Sequence, residues 1–279
     1  MPPSVCVVAE ELGFYADMGV DVETVLIESS TDQRDRLLSG NVDVGVTAMD
    51  NLVVWNAGGG GLRIVAQVES TTPLELVARP SVVGMEGLRG AVLGVDAVDN
   101  GFAVVLRHLL ARRGLSTADY TLLPVGGVRE RWEALRTESI DATLLGPPLD
   151  ELAAEADFVS LAAVEAEVPE YPGQGVVAGP AALKAGGDGL PRYLAALEAA
   201  RRWLCDASDE QVRELLSRGG HGPASVRAAL RTRPKSLVPS PAGLGRILAM
   251  REGLGLLPQP APGLGDLYDD GPLGAESNR

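Results

Sequence analysis

Short segments rich in β-branched residues alternate with helical segments along most of this chain, and that alternation limits the fold more than any other feature. A helical segment at 5–14 is ended by Gly13, a glycine in the position that commonly terminates helices. Strand-like segments follow at 20–27, 41–47, 62–69, 74–79, 91–96 and 175–179. Because strands that alternate with helices are joined by right-handed crossovers, the pattern predicts an α/β fold with mostly parallel sheets flanked by helices.

The order of elements that begins at Gly13 recurs from Gly114. Each unit contains a helix-ending glycine, a strand, a polar loop, a helix and a short closing strand, at 42–46 and 140–144 respectively. Such a match in pattern also arises by chance in α/β proteins, but under either interpretation each half is one sheet-building unit. In a chain of 279 residues, two such units predict two lobes.

Composition and charge exclude several classes of partner. The formal net charge of −14 repels phosphate backbones, so nucleic acid is not expected as a partner. Apolar runs are too short to span a bilayer, which predicts no membrane insertion. The two cysteines, Cys6 and Cys205, are too few for a metal cluster or a disulfide framework, so neither a metal nor a cofactor is expected.

The two ends of the chain suggest further expectations. The start, Met-Pro-Pro-Ser-Val-Cys, has no basic region followed by an apolar one, which as written indicates a cytoplasmic protein. From Pro258 onward prolines, glycines and acidic residues dominate, which predicts that the residues beyond about 270 are loosely attached.

Several stretches together resemble a known family. They are VAEELGFYADMGVDVETV, LLSGNVDVGVTAMDNLV, LRIVAQVE, LRGAVLGVD and IDATLLGPPLDEL. In order and spacing they resemble the type II periplasmic-binding-protein family, in the branch of nitrate, sulfonate, taurine and thiamine-pyrimidine-precursor binders.

The resemblance implies a two-lobed clamp. One lobe comprises 1–77 plus 177–279, the other comprises 78–176, and segments 74–79 and 175–179 are the hinge strands. Members carry a first strand before the helix that starts here near Ser4, and this sequence lacks both that strand and a signal peptide. If a leader precedes Met1, the resemblance implies a periplasmic protein or an extracellular lipoprotein.

Ligands of open α/β sheets bind at the carboxyl ends of the strands, and this rule selects the candidate binding residues. In the first lobe they are Ser30, Thr31, Thr47, Met49, Asp50, Asn51, Gln67 and Glu69. In the second lobe they are Asp96, Asp99, Asn100, Gly101, Gly126 and Gly146. The resemblance adds Ser4, Cys6 and Gln174. For Ser30, Thr31, Asp50 and Asn100 the alternative role is helix capping, which needs no ligand.

The candidate loops contain carboxylates but no lysine or arginine. Anions usually recruit arginine, so the loops favour a neutral-to-cationic, hydrogen-bonding metabolite such as an amine, amidine or aminopyrimidine. The expected function is small-molecule binding, as the substrate-binding component of an ABC uptake system with a permease as its partner.

The alternative function is a cytoplasmic enzyme on the same fold, of the decarboxylase, dehydratase or pyrimidine-precursor synthase type. The sequence assigns no catalytic residue, because His108 and His221 lie outside any metal or triad spacing. Cys6 is the one candidate nucleophile, since a helix N-terminus lowers the pKa of a thiol, and its alternative role is that of a small apolar residue. A regulatory sensor domain is a third hypothesis, and it requires an effector module that the sequence does not contain.

Overall fold

The computed structural model describes residues 2–27, 29–169, 171–185, 187–269 and 271–274. The helices are α1 Ser4–Glu11, α2 Phe14–Asp17, α3 Ser30–Ser39, α4 Asn51–Trp55, α5 Gly101–Arg112, α6 Val128–Arg136, α7 Leu149–Glu155, α8 Val164–Glu167, α9 Pro180–Lys184, α10 Gly189–Asp206, α11 Asp209–Arg218, α12 Pro223–Thr232, α13 Pro241–Gly253 and α14 Gly271–Gly274. The strands are β1 Val44–Ala48, β2 Arg63–Gln67, β3 Glu75–Ala78, β4 Val92–Val95, β5 Thr121–Pro124, β6 Ala142–Leu145, β7 Val159–Ala163 and β8 Gln174–Ala178. The predicted α/β class is confirmed.

The strands form two separate sheets, and each sheet is the centre of one lobe. The first lobe contains the order β1-β8-β2, in which β8 is antiparallel to both neighbours. The second lobe contains the order β5-β4-β6-β3-β7, in which β4 is parallel to β5 and β6, and β3 is antiparallel to β6 and β7. The carboxyl ends of β1 and β2 therefore lie together, as do those of β4, β5 and β6.

Local sequence explains where the helices that flank these strand ends begin. The side chain of Ser29 accepts a hydrogen bond from the amide of Asp32 and caps α3, and Asn100 accepts one from Ala103 and caps α5. Gly13 takes the left-handed conformation, with φ of 74°, between α1 and α2. The helix end predicted at Gly13 is therefore confirmed.

Segment 20–27 is not a strand, which corrects the sequence prediction. In the second lobe its counterpart, β5, pairs with β4. In the first lobe, no described strand lies beside 20–27. Without a neighbour to complete a hydrogen-bonded ladder, the segment stays irregular, and the side chain of Leu26 is 80% exposed.

Two connections cross between the lobes side by side, at 68–73 and 171–173. The amide of Val68 donates to the carbonyl of Gln174 at 2.9 Å. The hydroxyl of Thr72 donates to the carbonyl of Pro172 at 3.0 Å. We call these two stretches the crossing segments. The prediction that 74–79 and 175–179 are the paired hinge strands is wrong, because β3 and β8 are integral strands of different sheets.

The lobe boundaries expected from the sequence fall inside strands. The boundary at 77/78 divides β3, and that at 176/177 divides β8. Because a strand moves with its sheet, we propose that the division lies at the crossing segments instead.

The C-terminal helices pack mainly on the first lobe. A buried cluster joins Val8 of α1 and Val65 of β2 to Leu197 and Leu215 of α10 and α11. Helix α13 differs, since it also contacts α5 of the second lobe. Helix α14 packs against α10 and β2, with Leu273 only 7% exposed. The prediction of a loosely attached tail is therefore wrong for 271–274, and residues 275–279 lie outside the described part of the chain.

Among the described residues, no helix is both long and apolar enough to cross a membrane.

Candidate functional site

The strand-end loops of the two lobes meet through direct hydrogen bonds. The hydroxyl of Ser30, in the first turn of α3, donates to Oδ2 of Asp96 at 2.5 Å. The amide of Gly101 donates to Oδ1 of Asn51 at 2.9 Å, and Nδ2 of Asn51 donates to Oγ1 of Thr47 at 2.9 Å. Five of the residues selected from the sequence therefore converge from both lobes.

Asp50 lies at the centre of this contact, but it is not available to a ligand in this arrangement. Its side chain is fully buried and forms an ion pair with Arg251 of α13, whose Nε donates to Oδ1 of Asp50 at 2.8 Å. Arg251 also donates to the carbonyl of Asp99 at 2.9 Å. Burial raises the pKa of Asp50, and the Arg251 guanidinium opposes that rise. Arg251 lies inside a helix far along the chain, so the strand-end loops alone do not identify it.

The backbone of Gly101 lies directly against the first lobe. A Cβ atom at this position would lie 2.8 Å from Cβ of Asp50 and 3.2 Å from the hydroxyl of Tyr171. That hydroxyl donates to the carbonyl of Gly101 at 3.3 Å. Glycine at 101 is therefore what allows the loop before α5 to rest on Asp50.

The loop of the second lobe is held by its own polar network. Nδ2 of Asn100 donates to Oδ2 of Asp96 at 2.9 Å while Oδ1 caps α5. Asn100 therefore caps α5 and also lies at the interlobe contact. The side chain of Ser30 instead bonds across the interface, and the cap of α3 is Ser29.

A second arginine that the sequence argument missed lies behind this loop. Arg131, in α6, is 4% exposed and donates to the carbonyls of Gly126 and Leu144, each at 3.3 Å. Burial lowers the pKa of Arg131 to about 10, and the nearby carboxylates of Asp96 and Glu130 oppose that fall. The candidate loops themselves contain no lysine or arginine, but the fold brings Arg131 near Asp96 and Arg251 into contact with Asp50.

Glu69, Gln174 and Gln67 lie where the chain enters the crossing segments. Oε2 of Glu69 accepts a hydrogen bond from the amide of Gln174 at 3.2 Å. Burial raises the pKa of Glu69 to about 7, and the Gln174 amide partly offsets that rise. The side chain of Gln67 donates to the carbonyl of Glu69 at 3.0 Å and accepts from the amide of Ser240 at 3.0 Å. Its amide group thus binds protein on both sides.

Cys6 is not an activated nucleophile. Burial raises the pKa of its thiol to about 11, which is opposite to the lowering expected at a helix N-terminus. Its neighbours Tyr15 and Tyr193 stack with ring centroids 5.6 Å apart. Ser4, at the start of α1, is also buried. Cys6 therefore fits the alternative role of a packing residue.

The remaining candidates form no side-chain hydrogen bond to the opposite lobe among the described residues, and Asp99 contacts it only through its carbonyl, which accepts from Arg251. The side chains of Thr31 and Asp99 are exposed, and that of Met49 is buried. Gly126 has φ of 104°, beside the α6 N-terminus, and Gly146 approaches Pro73 closely.

No group of three or more histidine, cysteine, aspartate or glutamate side chains in the described ranges could hold a metal ion. His108 and His221 are half-buried, and burial lowers the pKa of both.

Known structures share this architecture. The alkanesulfonate-binding protein from Xanthomonas axonopodis pv. citri is 19% identical, with a TM-score of 0.78 over 95% of this chain and 94% of that chain. The periplasmic nitrate-binding protein from Synechocystis PCC 6803 is 14% identical, with a TM-score of 0.77 over 99% of this chain and 85% of the other. The periplasmic aliphatic sulphonate-binding protein from Escherichia coli is 16% identical, with a TM-score of 0.67 over 90% and 87%. At these identities the similarity establishes the fold alone, which is the periplasmic-binding-protein fold expected from the sequence.

Sequence comparison adds the family. No curated protein matches the chain. The sequence pattern of the family described as NMT1/THI5 like matches residues 4–211, which is well over half of the chain. The chain therefore belongs to the NMT1/THI5-like family.

Proposed function

We propose that this protein binds one small molecule between its two lobes and closes over it. The observation that carries the proposal is the direct contact between strand-end groups of opposite lobes, above all Gly101 with Asn51 and Ser30 with Asp96. When the lobes separate, these interlobe hydrogen bonds break, and their donors and acceptors become available to a ligand. A ligand that bonds to both lobes then favours the closed form, because only that form provides both sets of contacts.

The charges at the contact favour a neutral ligand rich in hydrogen-bonding groups. The cationic part of the expectation depended on Asp50, whose charge Arg251 already neutralises. Asp96 bonds to Ser30 and Asn100 and lies near Arg131. A ligand with a full charge of either sign would therefore meet a group that already has a counter-charge nearby. Neutral heterocycles and amides fit this arrangement best.

The proposed role is delivery of this solute to an ABC import system. The support is that the similar structures from X. axonopodis, Synechocystis and E. coli are named as binding proteins for sulfonates or nitrate, and two of them as periplasmic. Delivery to an importer further implies a location outside the cytoplasm, which cell fractionation tests.

Calorimetry against a panel of neutral pyrimidines, amides, amines, sulfonates and carboxylates tests the binding role. We expect one neutral compound to saturate at one per chain without being consumed, and the radius of gyration from X-ray scattering to fall on binding. Ser30→Ala should weaken this binding about tenfold, which corresponds to the loss of one hydrogen bond of typical strength. Ser39→Ala is the matched control, because Ser39 is an exposed serine at the opposite end of the same helix, α3. Turnover of the compound, or equal affinity of the two variants, would contradict the proposal.

A further inference from the structure

A separate pocket of about 710 Å³ lies beside the crossing segments. Its walls are the end of α12, the connection 233–240 and the start of α13, together with Ser70 and Pro172 from the crossing segments. Among the described residues, Gln67 is the one candidate of the interlobe site that also lines it. The volume is within the range of small-molecule sites, roughly 300–1,000 Å³.

The charged side chains that line this pocket are all basic. They are Arg231, Arg233 and Lys235, and no carboxylate lines the pocket in the described part of the chain. This concentration of positive charge occurs in a protein with a net charge of −14. The pocket therefore provides a local environment for an anion that most of the molecule would repel.

Structural roles account for only part of this positive charge. Arg233 forms an ion pair with Asp209 at 2.6 Å and also donates to the carbonyl of Leu204. Arg231 lies 3.5 Å from Glu165 in an exposed pair. Lys235 forms no ion pair with any described residue, so its ammonium group retains three donors for a ligand.

The uncharged lining divides into hydrogen-bond donors and an apolar wall. The hydroxyls of Ser236 and Ser240 each accept a hydrogen bond from a backbone amide, and within the described residues neither donates one. Their O–H groups therefore remain available to acceptor oxygens. Pro172, Leu230 and Val238 form the apolar part. A ligand that satisfies both parts has anionic oxygens at one end and an apolar body.

The wall that carries the basic residues is held in place by Ser70 of the crossing segments and by Gln67, the last residue of β2. The amide of Ser70 donates to the carbonyl of Thr232 at 2.9 Å. The amide of Gln67 donates to the carbonyl of Leu237 at 2.7 Å. The amide of Ser240 donates to Oε1 of Gln67 at 3.0 Å. The backbone that carries these donors is therefore in place before any ligand arrives, which lowers the entropic cost of binding.

We propose that this pocket is a second binding site, which takes a small organic anion bearing a phosphate, sulfonate or carboxylate group on an apolar body. Lys235 and the hydroxyls of Ser236 and Ser240 bind the anionic oxygens, and the apolar wall contacts the body. This site is distinct from the interlobe contact, and it does not depend on which solute binds there.

Calorimetry with phenyl phosphate as the probe tests the proposal, with benzyl alcohol as its neutral counterpart and inorganic phosphate as the head group alone. We expect phenyl phosphate to bind at one per chain and the other two compounds to bind at least about tenfold more weakly. Benzyl alcohol lacks the charge-assisted hydrogen bonds, and inorganic phosphate lacks the apolar contact. Lys235→Ala should weaken phenyl phosphate binding by about the same factor, while Lys235→Arg stays within a few-fold. Arg192→Ala removes an equal charge from an exposed position of α10 and should leave the affinity unchanged.

Cysteine labelling locates the probe independently. Cys205 lines the pocket and has an exposed side chain, so bound phenyl phosphate should slow its alkylation by iodoacetamide, and Lys235→Ala should abolish that protection. Circular dichroism must show that each variant remains folded. The proposal is overturned if phenyl phosphate fails to saturate, if Cys205 is not protected, or if binding is lost in Ser30→Ala but retained in Lys235→Ala, which would place the probe between the lobes.

Discussion

The amide of Gly101, the first residue of α5, donates a 2.9 Å hydrogen bond to the side-chain oxygen of Asn51, the first residue of α4. Two helices from opposite lobes thus begin at one point of contact. Any separation of the lobes must break this bond, and the absence of a side chain at Gly101 is what allows it to form. The contact therefore provides a direct way to alter lobe closure without touching either core.

Gly101→Ala should favour an open arrangement of the lobes. The added methyl group would lie 2.8 Å from Cβ of Asp50, closer than real Cβ contacts allow. We expect a larger radius of gyration by X-ray scattering and unchanged secondary structure by circular dichroism. Gly189→Ala is the matched control, because Gly189 also begins a helix and its Cβ would have no neighbour within 4 Å. An equal radius of gyration for both variants would show that residue 101 does not limit closure.

Arg251→Met should destabilise the protein by about 3–5 kcal/mol, since it leaves the Asp50 carboxylate buried without its counter-charge. Urea denaturation measures this loss. The double variant Asp50→Asn/Arg251→Met removes both charges and should recover most of it. Arg192→Ala, which breaks an exposed pair with Asp188, should cost less than about 1 kcal/mol. If Arg251→Met costs no more than Arg192→Ala, the buried pair does not stabilise the folded protein.

The buried pair also shows how much of the site the sequence could predict. The rule that ligands bind at the carboxyl ends of strands identified Ser30, Asn51, Asp96 and Gly101. It needs only the local pattern of a strand followed by a polar loop, which is visible in the sequence. It could not give the partner of Asp50, which is 201 residues away. A helical signal for Arg251 did exist, since Leu244, Ile247 and Arg251 follow one buried stripe of α13.

The strand prediction for segment 20–27 was wrong for a related reason. Its β-branched pattern is typical of strands, yet a strand also needs a neighbour, and that requirement is not visible within eight residues of sequence. By contrast, the strands predicted at β1, β2 and β4 do form, because each has a neighbouring strand to pair with. The hinge strands were misplaced for the same reason, because pairing with distant strands of the same sheet makes β3 and β8 sheet strands rather than crossing segments.

Glu69→Gln should change how stability depends on pH. Burial raises the folded-state pKa of Glu69 from 4.5 to about 7, so the folded protein favours the protonated carboxyl. The contribution of this group to stability is fully present below about pH 4.5 and is lost as the pH rises through about 7. Glutamine resembles the protonated form, so the variant should match the parent at pH 4.5 and exceed its stability at pH 8. Urea midpoints across this range measure the difference, and the exposed Glu23→Gln should follow the parent throughout. A parallel profile for Glu69→Gln would show that the carboxyl stays charged in the folded protein.

Leu273→Ala should destabilise the protein although it lies close to the end of the chain. Leu273 is 7% exposed within the cluster that contains Leu197 and Val65, and α14 packs against α10 and β2. Truncating a buried leucine costs about 2–5 kcal/mol, and we expect a value near the lower limit because a terminal segment can adjust around the cavity. Leu264→Ala is the matched control, since Leu264 lies in the same terminal region with 37% of its surface exposed, and it should cost about 0.5 kcal/mol or less. Urea denaturation of both variants provides the comparison. Equal stability would mean that α14 contributes nothing to the first lobe and that the sequence expectation of a loose tail applies to 271–274 after all.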